Sequence, residues 1–222
     1  MIDEIYFFGD KVLSDDFLKV IGESSILFTP EKSNMINLSA NSIQIGEELM
    51  TLFEKYDNIY IDLRNVEVND LGMGILSSLG CSFYDETDEK VEPKGTNLYY
   101  IYRIEYKRIL SENKKLRLVL SKPRENCSNV ICGRHYRTSP FEGELLIRSL
   151  HNVMVRLDDC GYNTSADLKT FDSGGISTFM ASVLNEEGVK YIFDRDINPL
   201  EFGEDIYYEI FGGKNGKSWL QS

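Results

Sequence analysis

The stretch Gln44–Leu63, with the sequence QIGEELMTLFEKYDNIYIDL, decides the fold class. Its first part carries apolar residues at helical spacing, namely Ile45, Leu49, Leu52 and Phe53. This period predicts an amphipathic helix over Gln44–Tyr56. Its last part, Ile59–Leu63, is a short apolar run that predicts a strand. A helix that leads directly into a strand is typical of proteins in which the two kinds of element alternate.

The same alternation continues on both sides of this stretch. Short apolar runs predict further strands at Ile5–Phe8, Ser25–Phe28, Val189–Phe193 and Asp205–Phe211. Helical spacing predicts helices from Ser14 to Gly22, at Glu142–Leu157 and at Ile176–Leu184. We therefore predict an α/β fold, with a mixed α+β fold as the alternative. In either case a mixed sheet would have helices packed on it.

The middle of the chain is strongly basic. Residues Tyr99–Arg137 contain ten of the 24 Lys and Arg residues and only three acidic ones, although the formal net charge of the chain is −12. Apolar residues alternate with others in two parts of this segment, at Tyr100, Tyr102, Ile104 and Tyr106 and again at Leu116, Leu118 and Leu120. Period two is the pattern of a half-exposed strand, so we predict a long antiparallel basic hairpin.

The loop after this hairpin is the first candidate binding site. It contains Arg134, His135, Tyr136 and Arg137, which follow no amphipathic period. Arg attracts phosphates and Tyr can stack on bases, so we predict that these residues bind a polyanionic ligand such as a nucleic acid or a nucleotide. For the charges of the hairpin itself, the alternative is a solvated sheet face with the tyrosines packed inward.

A Gly-rich turn before a predicted helix is the second candidate binding site. Ser173, Gly174 and Gly175 directly precede the helix that starts at Ile176. Such a turn can point free backbone N–H groups at an anion, and the helix dipole adds positive potential. The alternative is that Ser173 caps the helix and that the glycines allow a tight turn.

Neither a complete catalytic set nor a metal site can be assembled from the sequence. Asp172 and His135 are the candidates for proton transfer, but no nucleophile with its base is recognisable. The four cysteines are scattered and form no Cys-x-x-Cys pair, so we expect no metal site and a reduced state. The identity of any cofactor stays open.

Composition places the chain among ordered globular proteins, with 42% hydrophobic and 27% charged residues. No apolar run approaches the roughly 18 residues of a spanning helix, and the N-terminus lacks the basic start of a secretory signal. We therefore expect a cytoplasmic protein without a membrane partner. An acidic stretch at 85–95 predicts a loop or junction between an α/β part at 1–84 and an α+β part at 96–211, with a flexible tail at 212–222. The alternative is a single domain.

These features predict a non-enzymatic binding or regulatory protein, for example an inhibitor of a nucleic-acid-handling or defence system. The basic hairpin and loop would form one contact surface, and the acidic remainder would suit a basic protein partner. The competing interpretation is an enzyme that acts on a nucleotide or a phosphate ester and uses Ser173–Gly175 as its anion cradle. The oligomeric state is not determined by the sequence.

Overall fold

The computed structural model describes residues 2–8, 24–30, 41–64, 66, 68–121, 140–162, 175–184 and 190–193. Within these residues the strands are β1 (Ile2–Phe8), β2 (Ser25–Phe28), β3 (Asn58–Asp62), β4 (Cys81–Tyr84), β5 (Arg103–Tyr106), β6 (Lys115–Ser121) and β7 (Lys190–Phe193). The α-helices are α1 (Ile43–Phe53), α2 (Met73–Ser78), α3 (Pro140–Asp159) and α4 (Ile176–Leu184). A 3-10 helix covers Gly95–Tyr100. No helix in this part of the chain is long and apolar enough to cross a membrane.

Five of these strands form one parallel sheet in the order β2-β3-β6-β1-β7. All four neighbouring pairs are parallel; for example, Ile59 of β3 lies opposite Leu116 of β6. Parallel neighbours require crossover connections, so helices cover such a sheet. The α/β prediction is confirmed. The bounds predicted for β2 and α4 are those observed.

The central strands of the sheet are buried on both faces. On one face Ile61 and Leu118 are fully buried in a core to which α1, α2, α3 and α4 all contribute. On the other face Tyr60 and Val119 are buried together. Alternate residues of β3 and β6 therefore meet two different apolar environments, as expected for the middle of a parallel sheet.

The predicted basic hairpin is wrong, because its two halves belong to different sheets. β5 pairs antiparallel with β4 in a separate two-stranded sheet, whereas β6 lies between β3 and β1. The one charged residue inside the alternating run of β6, Arg117, is not on a solvated face. Its guanidinium donates to a Glu4 carboxylate oxygen at 2.5 Å and to the Asn58 side-chain oxygen at 2.8 Å. These bonds hold the charge within a half-buried cluster.

Three of the predicted chain segments fall on residues outside the described part of the chain. They are the helix from Ser14 to Gly22, the strand at Asp205–Phe211 and the tail at 212–222. The division of the chain at 85–95 stays a prediction. In the structure Asp85 starts a turn there, and its Oδ1 accepts hydrogen bonds from the backbone N–H groups of Thr87 and Glu89 at 2.8 and 3.0 Å.

Candidate functional site

The carboxyl ends of β1, β6 and β3 border the candidate site. Ligands of open parallel sheets bind at this edge, where the loops after neighbouring strands leave toward opposite faces. After β1 the chain continues to β2, on the far side of β6, whereas after β6 it continues to β7, on the far side of β1. The strand order thus runs in opposite directions after β1 and after β6, and right-handed crossovers in opposite directions lie on opposite faces of a sheet. β1 and β6 therefore flank a topological switch point.

The last residue of β3, Asp62, pairs with Arg64, which lies two residues further along the chain. Asp62 Oδ1 accepts hydrogen bonds from the Arg64 backbone N–H at 3.1 Å and from its Nε at 2.9 Å, and Oδ2 accepts one from Nη2 at 2.7 Å. The two side chains are only 5% and 10% exposed. Two parallel contacts fix the plane of the guanidinium. The carboxyl end of β3 therefore carries a rigid pair of opposite charges.

A second carboxylate, Asp70, is fully buried and contacts the starts of two helices. Its Oδ2 accepts hydrogen bonds from the Ser42 backbone N–H at 2.7 Å, the Ser42 hydroxyl at 2.9 Å and the Gly74 N–H at 3.1 Å. Its Oδ1 accepts one from the Gly72 N–H at 2.9 Å. The Ser42 hydroxyl in turn accepts a hydrogen bond from the Ile75 N–H at 3.1 Å. Because the first N–H groups of a helix lack intrahelical acceptors, Asp70 and Ser42 complete the starts of α1 and α2.

Two opposed effects act on the protonation of Asp70. Burial raises the pKa of its carboxyl group, because the charged form loses its hydration, and this is the larger effect. The hydrogen bonds from Ser42, Gly74 and Gly72 favour the charged form and oppose the rise. Since these donors already occupy both carboxylate oxygens, the geometry suits a structural residue that fixes the starts of α1 and α2.

The turn between Asp70 and α2 contacts the start of α4. Leu71 and Gly72 have φ angles of +52° and +79°, in the left-handed region. A Cβ atom added to Gly72 would lie 3.1 Å from Ile176 Cγ2, the first residue of α4, so the two segments are in close contact. Gly175, which is buried and has a φ of +88°, precedes that residue. The starts of α1, α2 and α4 therefore meet at the carboxyl edge.

Of the site residues predicted from the sequence, the structure describes Gly175. The others, which lie outside the described residues, are Arg134, His135, Tyr136, Arg137, Asp172, Ser173 and Gly174. Their roles stay predictions. Both predicted segments are next to elements of the carboxyl edge in the sequence, because residues 122–139 directly follow β6 and Gly175 directly precedes α4. In the described part, no group of three His, Cys, Asp or Glu side chains could hold a metal ion.

The sequence interpretation missed Asp62, Arg64, Asp70 and Ser42. Asp62 has a signal that could have found it, because a carboxylate at the end of a predicted parallel strand lies at the edge where ligands bind. Asp70 has no such signal, because its principal donor, Ser42, is 28 residues away in the chain. Only the packing of α1 beside α2 brings the two together.

Comparisons with known proteins identify a matching protein family and a solved structure with a similar fold. The model of the Glycerate kinase family matches residues 21–142, which is more than half of the chain. The crystal structure of a protein assigned as glycerate kinase 2 in Salmonella typhimurium LT2 is similar, with a TM-score of 0.59 and 15% sequence identity. That match covers 78% of this chain and 49% of the other, so this chain spans about half the length of the similar protein. No curated protein sequence matches.

The family match contradicts the prediction of a non-enzymatic binding or regulatory protein, because the members of a kinase family are enzymes. The example of an inhibitor of a nucleic-acid-handling or defence system is wrong for the same reason. The match favours the competing interpretation, in which an enzyme acts on a nucleotide or a phosphate ester.

Proposed function

Because the chain belongs to the glycerate kinase family, we propose that it transfers a phosphoryl group from a nucleoside triphosphate to a hydroxyl group of glycerate or a related hydroxy acid. The family match over residues 21–142 carries this proposal. It extends from before β2 to the first residues of α3 and includes Asp62, Arg64 and Asp70. These three residues belong to the carboxyl edge of the sheet.

In the proposed reaction, the substrate hydroxyl oxygen attacks the terminal phosphorus of the nucleotide. A bond forms between that oxygen and phosphorus, the bond from phosphorus to the bridging oxygen breaks, and the nucleoside diphosphate leaves. The hydroxyl proton passes to a base. Catalysis of this kind depends mainly on positioning and on positive potential around the transferred group.

The start of α4 suits the phosphate groups of the nucleotide. A helix dipole places positive potential at this end, and the left-handed Gly175 turns the backbone directly before the helix. We assign Ser173 and Gly174 to the same anion cradle, since they are the two residues before Gly175 in the chain. The polyanionic ligand predicted from the basic loop is then the nucleotide.

The basic loop after β6 supplies the remaining groups in this proposal. Arg134 and Arg137 stabilise negative charge on the transferred phosphoryl group, because guanidinium groups bind phosphate oxygens in a two-point geometry. His135 or Asp172 accepts the proton of the attacking hydroxyl. The loop follows the strand beside the switch point, where a ligand of this fold would lie. The cytoplasmic location and a protein partner remain predictions from the sequence.

The test is a phosphoryl-transfer assay on the purified full chain. Diphosphate release from MgATP is followed with and without glycerate, and phosphorus NMR identifies the phosphorylated product. We expect release that depends on glycerate. Replacing both Arg134 and Arg137 with alanine should lower kcat/KM by about a hundredfold or more, because it removes charge from the reacting group.

Arg148→Ala provides the matched control. Arg148 lies on α3, is 67% exposed and pairs with Glu144 one turn away, so its removal should leave kcat/KM unchanged within about twofold. Diphosphate release that is the same with and without glycerate would contradict the proposed function. An equal loss in the Arg148→Ala variant would contradict the roles given to Arg134 and Arg137.

A further inference from the structure

Two free thiols lie in elements that pack on the same apolar core. Cys81 is the first residue of β4 and is 3% exposed, whereas Cys160 directly follows α3 and is half-buried. Cys81 belongs to the main core cluster, and Cys160 packs against that cluster. The two residues are far apart in the chain, yet they share one environment.

A hydrogen bond joins the chain just after α3 to β5, the strand that pairs with the strand of Cys81. After α3 the chain turns at Gly161, which has a φ of +81°, and the Tyr162 N–H donates to the Leu157 carbonyl at 2.9 Å. The Tyr162 hydroxyl accepts a hydrogen bond at 3.1 Å from the backbone N–H of Tyr106. Tyr106 is the residue directly opposite Cys81 in the pairing of β4 with β5. Tyr162, two residues after Cys160, is therefore hydrogen-bonded to Tyr106, which pairs with Cys81 in the neighbouring strand.

The electrostatics of these groups agree with this arrangement. Burial raises the pKa of the Cys81 thiol to about 12, and the nearby Cys160 adds to the rise. Burial also raises the pKa of Tyr162, and Cys81 and Cys160 both contribute to that shift. The three groups are thus close enough for the charge of one to affect the others.

We propose that Cys81 and Cys160 form an oxidation site, in which hydrogen peroxide or a related peroxide converts the two thiols to a disulfide. In the first step the more accessible Cys160 thiolate attacks a peroxide oxygen and the O–O bond breaks, so that Cys160 becomes a sulfenic acid. The other oxygen leaves as hydroxide, or as the alkoxide of an organic peroxide, and takes up a proton. The Cys81 sulfur then displaces the sulfenic oxygen, which leaves as water, and the S–S bond forms. Two thiols and one hydrogen peroxide give one disulfide and two waters.

The disulfide would connect β4 to the end of α3. β4 directly follows α2, whose start belongs to the carboxyl edge, so the bond would join the strand after α2 to the end of α3. It would also close a long loop between the two cysteines, which stabilises a fold chiefly by restricting the unfolded chain. This inference is independent of the proposed kinase reaction.

The test uses the full chain with Cys127→Ser and Cys132→Ser, which leaves Cys81 and Cys160 as its thiols. After treatment with hydrogen peroxide, the protein is digested without reduction and its peptides are identified by mass spectrometry. We expect a linked pair of peptides, lighter than their sum by two hydrogens, and a rise in Tm of roughly 5–10 °C that a reductant reverses. Linking should also accelerate with pH, because few Cys81 thiols are ionised near neutral pH.

Adding Cys160→Ser to this background gives the matched control, in which both the linked peptide and the rise in Tm should be absent. The proposal is overturned if peroxide oxidises Cys160 to a sulfinic acid while Cys81 remains a free thiol. It is equally overturned if the link forms only in denatured protein, because the folded geometry would then keep the sulfurs beyond bonding reach.

Discussion

Asp70 is a fully buried carboxylate, and four hydrogen bonds offset the cost of its burial. Three of the four donors are backbone N–H groups, and the fourth is the hydroxyl of Ser42. Each donor belongs to the start of α1 or α2. The position of these helix starts at the carboxyl edge therefore depends on one side chain and its serine partner.

Replacing Ser42 with alanine tests this dependence. The substitution removes one donor to Asp70 and the acceptor of the Ile75 N–H, and it leaves both groups buried. We expect the free energy of unfolding to fall by about 2 kcal/mol, measured by urea denaturation. Ser77→Ala on α2 is the control, since the hydrogen bonds described for this helix do not involve the Ser77 hydroxyl, and it should change stability by less than about 0.5 kcal/mol. Equal losses in the two variants would contradict the role given to Ser42.

The stability of the protein should fall at alkaline pH, in part because of Cys81. The pKa of its thiol is about 12 in the folded protein, above the value of about 8.5 that is usual in an unfolded chain. At pH values between these two, the unfolded state has released a proton that the folded state retains. This contribution is therefore complete below about pH 8.5 and is lost as the pH rises toward 12. Burial raises the pKa of Tyr6 as well, which acts in the same direction.

The corresponding measurement is the free energy of unfolding at a series of pH values from 9 to 11. For the unmodified chain under reducing conditions, Cys81 should add about 1.4 kcal/mol per pH unit to the loss. Cys81→Ala should remove that part of the slope, and it should lower stability below about pH 8.5, where only the small cavity that it leaves in the core counts. Parallel curves for the two proteins would show that the Cys81 thiol does not titrate in this way.

At the scale of elements, α1 and α2 approach each other through glycines. A Cβ atom on Gly46 would lie 2.5 Å from Ser78 Oγ, and one on Gly74 would lie 2.3 Å from the Ile43 backbone nitrogen. At Gly46 the closest conflict is with a side chain that can rotate, and the Ile75 Cα follows at 2.9 Å. At Gly74 the three closest atoms all belong to the backbone of Ser42 and Ile43, at the start of α1. Gly74 is therefore the position where the helix pair is least able to accept a side chain.

Gly74→Ala should separate the starts of α1 and α2 and lower the free energy of unfolding by about 3 kcal/mol, measured by chemical denaturation. The matched control is Gly161→Ala, where a Cβ atom would meet nothing within 4 Å and only the φ of +81° is unfavourable. That cost is about 1–2 kcal/mol. A smaller loss for Gly74→Ala than for Gly161→Ala would contradict the close packing of the two helices.

Local sequence patterns predicted most of the helices and strands, but they paired β5 with β6, which belong to different sheets. The helical period of Ile176–Leu184 and the apolar run of Ile59–Leu63 each follow from burial along a single element, so a short window contains the signal. The alternation around Arg117 suggested an exposed hairpin face, because the sequence does not show that Glu4 and Asn58 lie beside it. Strand partners are set by contacts across the whole chain, and these lie beyond any local period.

The candidate site was harder to predict than the fold for the same reason. Asp70 and Ser42 are ordinary polar residues in the sequence, and their shared role arises only when α1 packs on α2. Gly175 was recognisable because its chemistry is local: a glycine turn directly before a helix. Local turns can therefore be predicted from sequence, whereas a hydrogen-bond centre that joins distant segments cannot.

At the scale of the whole molecule, charge misled the functional prediction. A net charge of −12 with a basic segment in the middle suggested a binding protein with two contact surfaces. Net charge governs solubility and association, and it carries little information on fold or chemistry. In its described part, residues 99–121, the segment instead supplies β5 and the central strand β6. The charges of these two strands lie in different sheets.

The architecture explains how a kinase of this family could use distant parts of the chain together. β3 brings Asp62 and Arg64 to the carboxyl edge, α2 brings the turn at Gly72, and α4 brings Gly175. Each lies at or beside the end of a regular element that contributes buried residues to the core. A rigid sheet with loops at one edge is the arrangement that positions reacting groups in α/β enzymes.

The most direct test of a nucleotide site at the carboxyl edge is hydrogen–deuterium exchange of the full chain with and without saturating MgATP. We expect the nucleotide to slow exchange at the backbone N–H groups of residues 69–76 and 175–180, which adjoin that edge, and to leave residues 111–116 at the opposite edge unchanged. Unchanged exchange throughout the chain, or slower exchange confined to residues 111–116, would contradict the site and the kinase function built on it.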